Sequence, residues 1–118
     1  GRRRRLMILE PASPEGAASI RKALNSPIQG GLSDYIMYCG YSAWKRIKLL
    51  YPKVLFVAQV HDSYVLDMPK QYMAPVAKIL KEEFEHPNTE QFGFKFKVPM
   101  KIDVKVGPNW KEMEDYEV

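Results

Sequence analysis

Two apolar runs, Val54 to Val60 and Tyr64 to Met68, are separated by only His61-Asp62-Ser63, and that spacing restricts the middle of the chain to a tight β-hairpin. Runs this short, rich in β-branched and aromatic residues, favour strand over helix. Such hairpins normally close with glycine or asparagine, whereas here an acid stands between apolar strands. An ionised carboxylate in that setting is costly unless a cation or a donor satisfies it. The first run places Val54, Phe56, Ala58 and Val60 on one face and Leu55 and Val57 on the other, the pattern of a central strand apolar on both sides. Pro69 closes the hairpin.

Helical signals lie on either side. Ser13, Pro14 and Glu15 supply a cap, a first-position proline and a first-turn acid, predicting a short helix from Ser13 to near Leu24. Asn25-Ser26-Pro27 then interrupts it. With Ser26 as cap and Pro27 in the first turn, a second, long helix follows, in which Ile28, Leu32, Ile36, Cys39, Ala43, Ile47 and Leu50 recur at helical spacing. Gly30, Gly31 and Gly40 weaken this helix relative to alanine; they either mark close approaches of a backbone or ligand or are simply tolerated. Met73, Val76, Leu80 and Phe84 form another helical stripe between Lys70 and Glu85, with Pro75 limiting its first turn.

Further on, Phe92, Phe94, Phe96 and Val98, then Met100, Ile102, Val104 and Val106, alternate with Lys95, Lys97, Lys101, Asp103 and Lys105, which reads as strand broken at Pro99. Gly1 to Leu9 reads as a short strand or arm. Helices segregated from antiparallel strands predict an α+β domain. The expected arrangement is an antiparallel sheet with a central hairpin and helices on one face, forming one domain over residues 1–118 with a basic N-terminal arm at 1–12.

Hydrophobic content of 46% and charged content of 27% exclude a disordered chain. The net charge is +4, and its excess of base sits in Arg2-Arg3-Arg4-Arg5. That clustering suits a polyanionic partner, the alternative being a solvated tail or a targeting arm. With Cys39 as the only cysteine, no intrachain disulfide or Cys-based zinc site can form. No apolar run approaches the ~18 residues of a membrane span, so a soluble, cytoplasmic protein without a membrane partner is expected. The abrupt opening on a basic segment suggests a piece of something larger.

Asp62, on a stiff turn, suits Mg²⁺, which takes oxygen ligands in strict geometry and commonly uses one or two carboxylates with phosphate and water. The residues alone leave two readings of Asp62 open, a metal ligand or a polar turn residue. Two-metal phosphoryl chemistry needs more acids than the hairpin carries, because Ser63 follows where a second would be convenient. Asp34, Asp67 and Asp103 are the other aspartates of the folded body. Asp67 lies well beyond the turn and Asp103 alternates outward, so none is assigned as a co-ligand. His61-Asp62-Ser63 is no hydrolase triad, since neighbours on a strand point to opposite faces. Gln29, Gln59 and His61 are neutral groups suited to sugar edges or minor-groove acceptors.

Asn25-Ser26-Pro27-Ile28-Gln29-Gly30, then Gln59-Val60-His61-Asp62, then Val98-Pro99-Met100-Lys101-Ile102-Asp103 through Gly107-Pro108-Asn109-Trp110 together resemble the C-terminal end of family A DNA polymerases, the bacterial DNA polymerase I type and its bacteriophage relatives. Gly1-Arg2-Arg3-Arg4 looks like that family's glycine-arginine loop, and the resemblance covers nearly the whole chain. It implies a palm fragment in which Asp62 is similar to the motif C aspartate that binds catalytic Mg²⁺ with a second Asp from motif A. By the same resemblance Arg21, Asn25 and Gln29 look like template and primer contacts, with His61 close to the primer terminus; Arg2, Arg3 and Arg4, by their charge, and Gln59, by its neutral donors and acceptors, are the further candidate DNA contacts. The family commonly has Glu after this Asp, where this chain has Ser63.

The motif A aspartate and the fingers helix would lie upstream of Gly1. The resemblance therefore implies a chain inactive alone, which with the remainder of the polymerase extends primer-template DNA from deoxynucleoside triphosphates. Such a chain is either an excised domain or one part of a split polymerase, working in the host cytoplasm if it is phage-borne. A non-catalytic DNA-binding module is the alternative, and a stand-alone Mg²⁺ nuclease would need carboxylates that are missing near Asp62.

Overall fold

A computed structural model describes residues 4–6, 12–93, 95–98 and 100–118. The chain divides into two compact units, Gly1–Tyr35 and Ile36–Val118. Its elements in order are α1 (Pro14–Leu50), β1 (Leu55–Val60), β2 (Ser63–Asp67), α2 (Met73–Glu85), β3 (Lys105–Val106) and β4 (Glu114–Asp115), with 3-10 turns at Lys70–Tyr72 and Glu90–Phe92. The strands make two antiparallel two-stranded sheets, β1-β2 and β3-β4, so the mixed α+β composition is as expected.

The start of α1 follows its sequence signals. Ser13 Oγ accepts from the Gly16 amide at 3.0 Å and the Ser13 carbonyl accepts from the Ala17 amide at 2.9 Å, so Ser13 is the cap and Pro14 occupies the position where a missing N–H is harmless. The expected interruption at Asn25-Ser26-Pro27 does not occur, and one helix of 37 residues runs through Pro27. The reason is a comparison of losses. Keeping the helix sacrifices the bond that the proline nitrogen cannot donate, whereas breaking it creates two new ends, each with four unsatisfied backbone groups. Ser26 is accordingly no cap, and its Oγ accepts from Arg4 Nη1 at 3.1 Å.

The apolar stripe read along this helix is buried only in part, and Leu50 at its end is exposed. In the Ile36–Val118 unit, Ile36, Cys39, Ala43 and Ile47 are buried together with Val54 and, from α2, Val76, Ala77, Ile79 and Phe84. On the N-terminal half of α1, Ile28 and Leu32 are exposed, as are Ile20 and Leu24. Helix α2 begins at Met73 behind the 3-10 turn, because Pro75 needs no amide donor only within the first turn.

Gly40 is a point of close packing in this unit. A methyl group there would overlap the hydroxyl and ring of Tyr64 on β2, whose hydroxyl donates to the Ile36 carbonyl at 3.2 Å. The Tyr64 ring also meets Phe56 and Phe84 edge-on, with centroids 6.0 and 5.9 Å apart. Gly30 and Gly31, by contrast, have open space around them. Burial pushes the Tyr64 hydroxyl above its usual 10.0, with the nearby Cys39 thiol adding to the shift. A raised value means that the folded state holds this proton more tightly, so the contribution is complete below pH 10 and is lost as pH rises through the folded value. Tyr64→Phe is expected to flatten the alkaline fall of Tm above about pH 10, measured by thermal melts across pH.

Two strand expectations are corrected. Among the described residues β1 pairs only with β2, so it is not central here, and its outward Leu55 and Val57 are 53% and 61% exposed. The described residues from Phe92 to Val98 form no strand. Phe92 ends a 3-10 turn with its ring edge-on to Tyr38 at 5.1 Å, and Gly93, at φ +73°, turns the chain out of an extended path. Phe94 and Pro99 lie outside the described residues. The alternation after them is real, since Ile102, Val104 and Val106 are half-buried and Lys101, Asp103 and Lys105 exposed. Among the described residues its pairing is limited to Lys105↔Asp115 and Val106↔Glu114, because alternation selects a face and a ladder also needs a second strand.

Candidate functional site

The β1-β2 hairpin closes through His61 and Asp62 alone, with Val60 paired to Ser63 and Gln59 to Tyr64. A two-residue turn that follows the twist of its strands needs positive φ at its first central position. His61 supplies it at +54°, although a residue with a Cβ bears a strain of about 1–2 kcal/mol there. Across the turn, Ser63 Oγ donates to the Val60 carbonyl at 2.9 Å. Val57 is an extra residue in β1, where the register shifts between Phe56 and Ala58. A bulge of this kind bends a strand and re-aims the side chains beyond it.

Asp62 thus projects from a short, doubly fastened tip. Its side of the turn is exposed, and among the described residues its carboxylate has no hydrogen-bond or ion-pair partner. Just behind the tip, Tyr64 fixes the hairpin to both helices of its unit. This anchor was not assigned from the sequence, although Gly40, a glycine in the middle of a helix, was its trace.

The other assigned residues fall in separate places. Gln59 and His61 share the hairpin with Asp62 and are exposed. Arg21, Asn25 and Gln29 are exposed on α1 at successive four-residue steps, which puts them on one helix face. Arg4 is beside Ser26, while Arg2 and Arg3 lie outside the described residues. Asp67 pairs opposite Leu55 at the far end of the hairpin, roughly 16 Å from Asp62 at strand rise, too far to share a metal ion. Among the described residues no three His, Cys, Asp or Glu side chains are grouped to hold a metal, and no helix is long and apolar enough to cross a membrane. Asp62 fits one corner of an oxygen-ligand shell, not a whole one.

Comparison with known proteins places this geometry in context. The family model for DNA polymerase family A matches residues 1–112. DNA polymerase I of Chloroflexus aurantiacus is 28% identical over 113 residues, 96% of this chain and 12% of that protein. DNA polymerase I of Caldicellulosiruptor bescii is 33% identical over 92 residues, 78% of this chain and 10% of its own length. The thermostable DNA polymerase I of Thermus aquaticus is 31% identical over 111 residues, 93% of this chain and 12% of that protein. The chain therefore spans about a tenth of the length of the curated relatives it matches.

Proposed function

Because the chain belongs to DNA polymerase family A, we propose that residues 1–118 form the C-terminal part of a polymerase palm, which supplies Asp62 as a ligand for Mg²⁺ and extends a primer by two-metal phosphoryl transfer. The observation that carries this reading is the exposed, unpartnered carboxylate of Asp62 on a rigid two-residue turn. With one carboxylate present, the remaining ligands come from substrate phosphate, water and an acid of the upstream segment. Bound there, Mg²⁺ would polarise phosphate oxygens and neutralise developing charge. The chain's own part is to hold Asp62 still through the Ser63 to Val60 bond and the Tyr64 anchor, and to present Arg21, Asn25 and Gln29 to primer-template DNA. Arg2, Arg3 and Arg4 would bind DNA phosphates, and Gln59 and His61 the primer end.

The open strand edges support a fold completed by further chain. A cleft of about 480 Å³ is bounded by Ser63–Met68 on one side and Ile102–Gly107 on the other, with apolar side chains of α2 along its floor. Strand edges unpaired among the described residues, with Leu55 and Val57 exposed, are what is expected when a neighbouring strand belongs to another segment. Supplying the upstream polymerase segment should confer Mg²⁺-dependent primer extension on a mixture in which neither part extends alone. Reassembly without any extension, over a range of Mg²⁺ concentrations, would sink the catalytic reading.

One observation favours a second reading. Ser63 stands where the hairpin offers room for another acid, and its hydroxyl is turned back to the Val60 carbonyl. A non-catalytic DNA-binding module would bind primer-template with a steep salt dependence yet remain inert with its upstream segment in place.

A further inference from the structure

Between Ile36 and Leu50 the side chains of α1 that do not enter the core form two flanks. One carries Arg46, held by Glu82 at 2.7 Å and Glu83 at 3.2 Å, whose hydrogen bonds push the guanidinium further above its ordinary value. The other carries Met37, Tyr41, Trp44 and Lys48, next to Lys45. Met37, Tyr41 and Trp44 are 54%, 57% and 41% exposed, although each is large and apolar enough to be buried. The Tyr41 and Trp44 rings lie nearly parallel, 18° apart with centroids at 5.9 Å. Lys45 Nζ stands 4.8 Å from the Tyr41 ring centroid, and the sequence from Ile36 to Leu50 contains no carboxylate.

We propose that this flank binds single-stranded nucleic acid, with a base stacked against the exposed Tyr41–Trp44 pair and its phosphates on Lys45 and Lys48. Near-parallel stacked rings make a short stack that any base can extend, because every base has a π-face. Cations beside the rings, with no acid on this stretch of helix, match the phosphates that accompany stacked bases. A lipid surface would call for a broad continuous apolar face, whereas exposed Lys45 and Lys48 stand between these side chains and the exposed Leu49. An acidic protein partner would satisfy the lysines but leave the parallel rings without a matching plane. The choice of DNA as the natural strand rests on the polymerase reading, whereas the binding itself does not require catalysis.

The test uses the full polypeptide containing this chain, with fluorescent oligo(dT) and a blunt duplex as probes in anisotropy titrations. Tyr41→Ala and Trp44→Ala should each weaken oligo(dT) binding by about tenfold, the scale of losing one stacked base, and Trp44→Phe should retain most of the affinity by keeping a ring. Lys45→Ala should lower the slope of log affinity against log salt by about 0.7. An oligonucleotide carrying 5-iodouracil should cross-link at Tyr41 or Trp44. Unchanged oligo(dT) affinity in both alanine variants, an equal loss for the duplex, or cross-links only elsewhere overturns the proposal, including the case in which another domain of the polypeptide covers this flank. Oligo(dT) binding that depends on the two rings, in a protein that never extends a primer, would support this proposal while defeating the polymerase reading.

Discussion

Asp62→Ala, in the chain supplied with its upstream segment, is expected to lower primer extension by roughly 10³-fold or more, the scale of removing a group that stabilises transition-state charge. Asp62→Asn should fail nearly as completely, because it keeps the shape of the turn and loses the anionic oxygen that a hard cation needs. Asp62→Glu should retain a fraction of the activity. Stability should be unaffected within about 0.5 kcal/mol, since the side chain is exposed and joined to nothing among the described residues. Affinity for primer-template DNA should hold or rise, because a negative charge is removed near phosphates. Single-turnover extension, thermal melts and anisotropy on the same preparations separate these effects. Normal extension by the alanine variant would show that Asp62 is a polar turn residue only.

The second large effect concerns the anchor beneath the site. Gly40→Ala normally would stabilise a helix interior by about 0.5–1 kcal/mol. Here the new methyl group overlaps the Tyr64 ring, which is held between Phe56 and Phe84 and bonded to the Ile36 carbonyl, so it cannot swing aside freely. Overpacking of this kind costs about 1–3 kcal/mol, and the net result is a loss of stability in denaturant unfolding. Gly30→Ala, with open space around it, should show the ordinary helix gain. Combining Gly40→Ala with Tyr64→Ala should recover much of the loss specific to Gly40, because the two sites share one contact. Equal gains at Gly30 and Gly40 would refute the close approach.

The polar parts of the candidate site were legible because chemistry is carried by residue type and spacing. His61 and Asp62 between two short apolar runs specified a tip, and Ser13-Pro14-Glu15 specified a helix start, each through interactions within four residues of one another. What was misread depended on competition between distant choices. Pro27 carries the same local signal whether it opens a helix or sits inside one, and the four unsatisfied groups at each potential new end decide the outcome. The alternation from Phe92 onward marks an extended, two-faced segment, yet Tyr38 takes Phe92 and Gly93 turns the chain.

Sequence alone therefore determined the hairpin, its acidic tip, the capped start of α1, the amphipathic α2 and the family, all of which follow from local periodicity or from motif order. Only tertiary structure decided that α1 is continuous, that Gly40 exists to admit Tyr64, that Ser63 closes the turn on Val60, and that Leu55 and Val57 remain uncovered. These last are questions of which surfaces meet. A side chain's partner across space leaves no periodic trace in its own segment, and a strand's pairing depends on a second strand that its own sequence does not encode.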